Sequence, residues 1–168
     1  MSNVTGTFYP GEAIHGYGAE LRVGQGATSP QTFVAVADIV SITPGDMSTA
    51  VIDKTHLRSP GAHREKLAGI RDSGPFVMRG NWRPKHGTQS NATNTSADGV
   101  TAGYSLLALW RNRTENHFII VLHDGSPATE WPFRGVVTKF QPGEIGVDSK
   151  IDFTCEITPL QDFSASLP

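Results

Sequence analysis

A chain of 168 residues with a net charge of −2, 18 glycines and 11 prolines has room for a sizeable core in a single domain, 1–168, and reads as β-rich rather than as a helical bundle. The small net charge excludes the broadly basic surface of a general nucleic-acid binder, so recognition by charge must be local. Cys155 is alone, which rules out an intrachain disulfide; no run approaches the ~18 apolar residues of a membrane span, and the start "MSNVTGTFYPGE" lacks the features of a signal peptide, so a soluble product made in the cytoplasm is expected.

Residues 1–17 are Gly-rich and weakly patterned, an N-terminal arm. "AELRV" alternates Ala19, Leu21 and Val23 against Glu20 and Arg22, as a half-buried strand does. "TFVAVADIVSI" is apolar on nearly both sides and predicts a strand covered on both faces. "TPGD", Thr43 to Asp46, places Pro and Gly where a type II turn needs them, and "MSTAVID" follows, so 32–53 reads as a hairpin. From 55 to 74 no strand alternation is evident, and a long loop is expected. "PFVMRGNWR" resumes alternation, with Phe76, Met78 and Trp82 inward, and 84–97 is a polar, flexible connection.

A helix is predicted over 98–112, with Asp98 as N-cap and Val100, Tyr104, Leu107 and Arg111 at helical spacing. "HFIIVL" is a short buried strand closed by the turn "HDGS". "EWPFRGVVTKF" and the closing stretch "VDSKIDFTCEIT" are joined by a Pro-Gly turn and predict a long antiparallel ribbon. In the closing stretch Val147, Ile151, Phe153, Cys155 and Ile157 fall on one side, and Asp148, Lys150, Asp152, Thr154, Glu156 and Thr158 on the other. Cys155 therefore reads as a small buried hydrophobe.

Catalytic chemistry is not in evidence. The six histidines show no metal-ligand spacing, there is no nucleophile elbow or phosphate loop, and Asp148 with Asp152 matches the outer face of any solvated strand. No enzyme activity, cofactor or metal is expected. Charge is unevenly spread: in 54–73, Lys54, Arg58, Arg64, Lys66 and Arg71 against Glu65 and Asp72 give +3, leaving about −5 for the rest. A basic loop and an acidic body in one molecule suit docking of the loop on a second copy, head to tail.

Taken together, "FVAVADIVSITPGDMSTAVIDKTHLRSPG", "SGPFVMRGNWRP", "GVTAGYSLLALWRNRT" and "FIIVLHDGSPATEWPFRGVVTKFQPGEIGVDSKIDFTCEITP" resemble, in order and spacing, the major tail tube proteins of lambda-type siphophages. The resemblance covers roughly 18–160; it departs from the family in a basic rather than acidic long loop, and the C-terminal immunoglobulin-like domain of some members is not expected here. It implies a β-sandwich or barrel with one flanking helix, hexameric rings whose strands join into a tube-lining barrel, and head-to-tail stacking of those rings into a virion tail tube assembled in the host cytoplasm. Implied partners are further copies of the chain, a tape-measure protein in the lumen and terminator and tip proteins at the ends, with DNA in transit and no membrane. On this resemblance Asp148, Lys150, Asp152, Thr154 and Glu156 line the lumen as a net negative wall. Ile151, Phe153, Cys155 and Ile157 pack under the helix with Tyr104 and Leu107, and Arg58, Arg64, Lys66 and Arg71 bridge subunits or rings. Two other readings stay open: a single-ring head–tail connector or tail terminator, and a small β-barrel binding module.

Overall fold

The computed structural model describes residues 18–26, 32–55, 64–89, 100–123, 128–147 and 150–160, which form nine strands and one helix. In chain order these are β1 (Glu20–Gln25), β2 (Thr32–Ala35), β3 (Ile39–Thr43), β4 (Met47–Asp53), β5 (Lys66–Ser73), β6 (Phe76–Asn81), α1 (Leu106–Asn112), β7 (Glu115–Leu122), β8 (Thr129–Pro142) and β9 (Asp152–Pro159). Seven strands make one antiparallel sheet in the order β2-β1-β7-β8-β9-β6-β3, and β4 and β5 make a separate two-stranded ribbon.

The order of the large sheet dictates its shape. β2 and β3 lie at opposite edges, which in a flat sheet would stand roughly 29 Å apart, yet the chain passes from Ala35 to Ile39 in a span of at most about 14 Å. The sheet must therefore curl until its edges approach, with 36–38 as the corner. Asp38 adopts φ +54° there, a left-handed conformation that turns the chain, and its carbonyl accepts from Asn81 N–H at 3.0 Å. Gly80 makes this crossing possible, because a Cβ at that position would lie 2.6 Å from the Asp38 carbonyl oxygen.

Inside the curl lies a core of Leu21, Val23, Phe76, Met78, Phe118, Ile120, Phe133, Val137, Phe140, Phe153, Cys155 and Ile157. Phe133 stacks on Phe76 (4.6 Å between centroids) and on Phe118 (5.5 Å), which ties β8 to β6 and β7 across the interior. In β9 the burial alternates as the sequence does, with Phe153, Cys155 and Ile157 inward. β8 keeps its pattern through a bulge: Val137 and Phe140 both point in, and Thr138 and Lys139 both point out.

The helix is shorter than predicted. Gly103, at φ +90°, and Ser105, whose side chain accepts from Ala108 N–H at 3.2 Å, delay its start to Leu106; Asp98 lies outside the described residues. Leu106 and Leu109 are fully buried in the core, where the helix packs mainly on β8, whereas Tyr104, ahead of the helix, and Leu107 pack against it half-buried.

Five other expectations are corrected. The 32–53 hairpin does not form, since β3 pairs with β6 and β4 with β5, and β3 is partly exposed rather than covered on both faces. The 55–74 loop is β5 over its second half, where a bulge hides the alternation. The closing strand starts at Asp152, not Val147: Val147 is fully exposed, and Ile151 is half-buried with its carbonyl accepting from Trp82 N–H at 2.7 Å. Finally, in the connection 84–97, the described part holds the buried residues Thr88 and Gln89.

These two residues clamp the corner. Gln89 Oε1 accepts from Arg83 N–H (2.6 Å), and its Nε2 donates to the carbonyls of Ala37 (2.8 Å) and Asn81 (2.9 Å). Thr88 Oγ1 accepts from Ala37 N–H at 3.2 Å, and the carbonyls of Thr88 and Gln89 accept from Leu106 and Leu107 N–H. One short segment thus satisfies the corner, the end of β6 and the start of α1, groups that would otherwise be buried without partners.

Candidate assembly surfaces

The outward face of β6, β9 and β8 is the first surface. Register places Thr154 and Glu156 of β9 between Arg79 and Val77 of β6 on one side and Gln141 and Lys139 of β8 on the other. Lys139 Nζ sits 3.2 Å from Glu156 Oε1, and Lys150 Nζ 3.9 Å from Asp152 Oδ1. A hydroxyl pair, Thr158 to Thr138 at 3.3 Å, continues the polar row. Among the described residues around β9 the wall is not net negative: Glu156 and Asp152 each have a lysine, and Arg79 adds a further positive charge. Reading β9 alone hid this, because Lys139 and Arg79 come from neighbouring strands and only the bulge in β8 turns Lys139 outward, where plain alternation from Val137 would turn it inward. Asp148 lies outside the described residues.

The reverse side of β9 carries no reactive group. Burial pushes the Cys155 thiol up to about 12, with the Glu156 carboxylate adding to the shift, so it stays protonated and inert. Among the described residues no cluster of His, Cys, Asp and Glu could hold a metal ion, and no helix is long and apolar enough to cross a membrane.

The β4–β5 ribbon is the second surface. It joins the sheet where Gly45 crosses Gly74: Gly74 N–H donates to the Asp46 carbonyl at 2.7 Å, and a Cβ on Gly45 would fall 2.0 Å from the Gly74 carbonyl oxygen. Beyond that crossing every residue of β4 is exposed. Register sets Ile52 opposite Leu67, and the bulge between Thr49 and Val51 turns Ile70 to the same side. Ile52, Leu67 and Ile70 are 51 %, 53 % and 84 % exposed, so one face of the ribbon is apolar and in water. The opposite face carries Val51, Lys66 and Arg71. At its outer end Lys54 pairs with Glu65 (3.4 Å), and Thr55 N–H donates to Asp53 Oδ1 at 2.8 Å, which with a Thr55 side-chain bond holds the Asp53 carboxyl below its usual range. Of the basic residues singled out, Arg64, Lys66 and Arg71 are exposed here and Arg58 lies outside the described residues. Sequence reasoning found the charges and missed Leu67 and Ile70, whose signal was the apolar spacing in "KLAGIRD".

A third feature is a cleft of about 790 Å³ between β3 and the inner face of the β1, β7 and β8 ends, lined by Ile39, Val40, Ile42, Ile120, Leu122 and Trp131 among others. Trp131 and Trp110 are both exposed, and Trp131 forms one wall of this cleft.

The fold is shared with parts of contractile and phage-like tails. A chain of the tail of an empty gene transfer agent particle, refined with C6 helical symmetry, is similar at 14 % identity with a TM-score of 0.60, over 89 % of this chain and 96 % of that one. A chain of the native gene transfer agent virion is similar at 12 % identity and 0.59, over 89 % and 96 %. A chain of the sheath/tube terminator of an extracellular contractile injection system, PVC, in the extended state, is similar at 12 % and 0.58, over 91 % and 96 %. No curated protein matches the chain significantly. Residues 17–118, more than half of the sequence, match the family described as lambda phage tail tube protein, TTP, and the chain belongs to that family.

Proposed function

We propose that copies of this chain close into hexameric rings that stack head-to-tail as the tail tube of a virion, with the outward face of β6, β9 and β8 lining the bore. The observation that carries this reading is the ribbon. An isolated two-stranded ribbon is marginal in water, and one that exposes Ile52, Leu67 and Ile70 together is a surface built for a protein partner. In a tail tube the partner is another copy, and Lys66 and Arg71, on the opposite face, offer a second, basic contact whose register charge can set. Pro159 and Leu160, at the end of β9, face the ribbon's base across a cleft of about 490 Å³ that Met47, Arg71 and Asp72 also line.

The polar row suits a bore. Large β-barrels that hold a channel put polar side chains inward, and each copy would contribute Thr154, Glu156, Asp152 and Lys150, together with Lys139 and Arg79. Because Lys139 and Lys150 are already engaged by carboxylates, they offer little to phosphates, whose tight binding depends on free Lys and Arg contacts. DNA would pass such a wall with weak, evenly spread contacts. The tape-measure protein in the lumen before DNA, the terminator and tip at the two ends, assembly in the host cytoplasm and the absence of enzymatic activity belong to the same reading.

Purified protein viewed by negative-stain microscopy tests it. Long hollow tubes of uniform width are expected on concentration. Isolated rings that never stack would replace the tube with a connector or terminator role, and a persistent monomer at high concentration would overturn the assembly altogether.

A further inference from the structure

The cleft beside β3 and the apolar face of the ribbon have complementary chemistry, and we infer that the cleft of one copy receives the Ile52–Leu67–Ile70 face of the next. This rests on the tube reading above and adds to it the receiving surface. Two observations carry it. The cleft is wide enough for a ligand, but its lining offers one side-chain hydroxyl, Ser41, and no cluster of aimed polar groups, which a small-molecule site needs for orientation. An apolar protein surface needs none. β3 is also the last strand of its sheet, so the cleft runs along an edge suited to a strand-shaped occupant.

Within one chain the ribbon stands clear of the cleft, with Ile70 84 % exposed, so the occupant is a second copy. Seating these side chains would cover Val40 and Trp131 at one stroke, the two exposed apolar residues of the cleft wall.

Disulfide trapping tests this with two separately purified and differently sized versions, Ile70→Cys and Val40→Cys. Both positions are exposed, so folding is undisturbed, and Cys155 is buried and unreactive. The two are mixed, concentrated and oxidised. Tubes that yield a hetero-disulfide band, absent from either version alone, support the inference. Tubes without that band overturn it and leave the tube reading standing. A band without tubes supports the docking and overturns the tube. Neither tubes nor band overturns both. As a second measurement, Ile52→Asp with Leu67→Asp should leave the thermal unfolding of the monomer unchanged and raise the critical concentration for assembly by on the order of thirtyfold, the effect of removing a buried anchor from an interface. An unchanged critical concentration would overturn the inference.

Discussion

Replacing Gln89 by leucine tests how the curled sheet is held closed. The side chain is fully buried and makes three hydrogen bonds to backbone groups: Arg83 N–H, the Ala37 carbonyl and the Asn81 carbonyl. Leucine nearly conserves the volume, so the cavity cost is small, but it leaves all three groups buried with one partner fewer. At about 1–1.5 kcal/mol for each lost bond, the change should cost roughly 3–5 kcal/mol of a total stability of about 5–15 kcal/mol. Urea unfolding followed by tryptophan fluorescence reads this directly. With a slope near 2 kcal/mol/M, the midpoint should fall by about 2 M at unchanged slope. The exposed Arg83–Asp38 ion pair at the same corner, 3.4 Å long, is the internal comparison, because Arg83→Ala should cost under about 1 kcal/mol. A Gln89→Leu midpoint within about 0.5 M of the parent would refute the idea that this clamp, rather than the strand ladders alone, fixes the corner between β2 and β3.

Three further outcomes are expected. Gly45→Ala should force the ribbon away from Gly74, since the new methyl would meet backbone rather than a yielding side chain; the curled sheet should still unfold cooperatively, but sedimentable polymer should be lost. The raised Cys155 thiol predicts a pH effect of definite sign. Between the usual thiol range near 9 and about 12 the unfolded chain gives up a proton that the folded chain keeps, so folding stability should fall with rising pH by up to about 1.4 kcal/mol per unit. Cys155→Ala should remove that part of the slope, and an identical alkaline slope in both proteins would contradict the burial argument. Replacing Asp152 and Glu156 together by lysine should leave assembly intact while freeing Lys139 and Lys150 to meet phosphate, which ejection kinetics from assembled particles would show as a slowing that rising salt relieves.

Much of the fold was legible because alternation survives wherever one strand face meets the core. β1, β6 and β9 follow their predicted sides residue by residue, and the Pro-Gly turn before β9 joins two strands that do pair. The helix was misjudged because its apolar spacing runs on through Gly103, whose left-handed backbone ends any helical reading, while the true cap, Ser105, sits inside the periodic stretch. The pairing of β3 and β4 was misjudged for a topological reason. A Thr-Pro-Gly-Asp turn signals a reversal of direction, but here the chain runs straight on, since Thr43 pairs with Val77 and Met47 with Ser73, and β3 and β4 form one arm facing β6 and β5. Gln89 could not have been found from sequence, since it lies in a polar stretch that composition alone describes as a loop, and its partners are set by which strands happen to meet there.

The candidate surfaces reveal a more informative kind of error. The reading of "TFVAVADIVSI" as covered on both faces followed correctly from its hydropathy, yet the single chain covers it incompletely, leaving Val40 exposed. The ribbon is the same case, with apolar side chains at strand spacing that nothing in the chain buries. Local pattern and global structure normally agree in a foldable sequence, and their disagreement collects at functional sites. Here it collects at β3, β4 and β5 and leaves the interior strands untouched. Burial demanded by the residues and absent from one copy is what a protein completed by its neighbours should display, so the misfit between sequence and monomer is itself an argument for assembly through these strands.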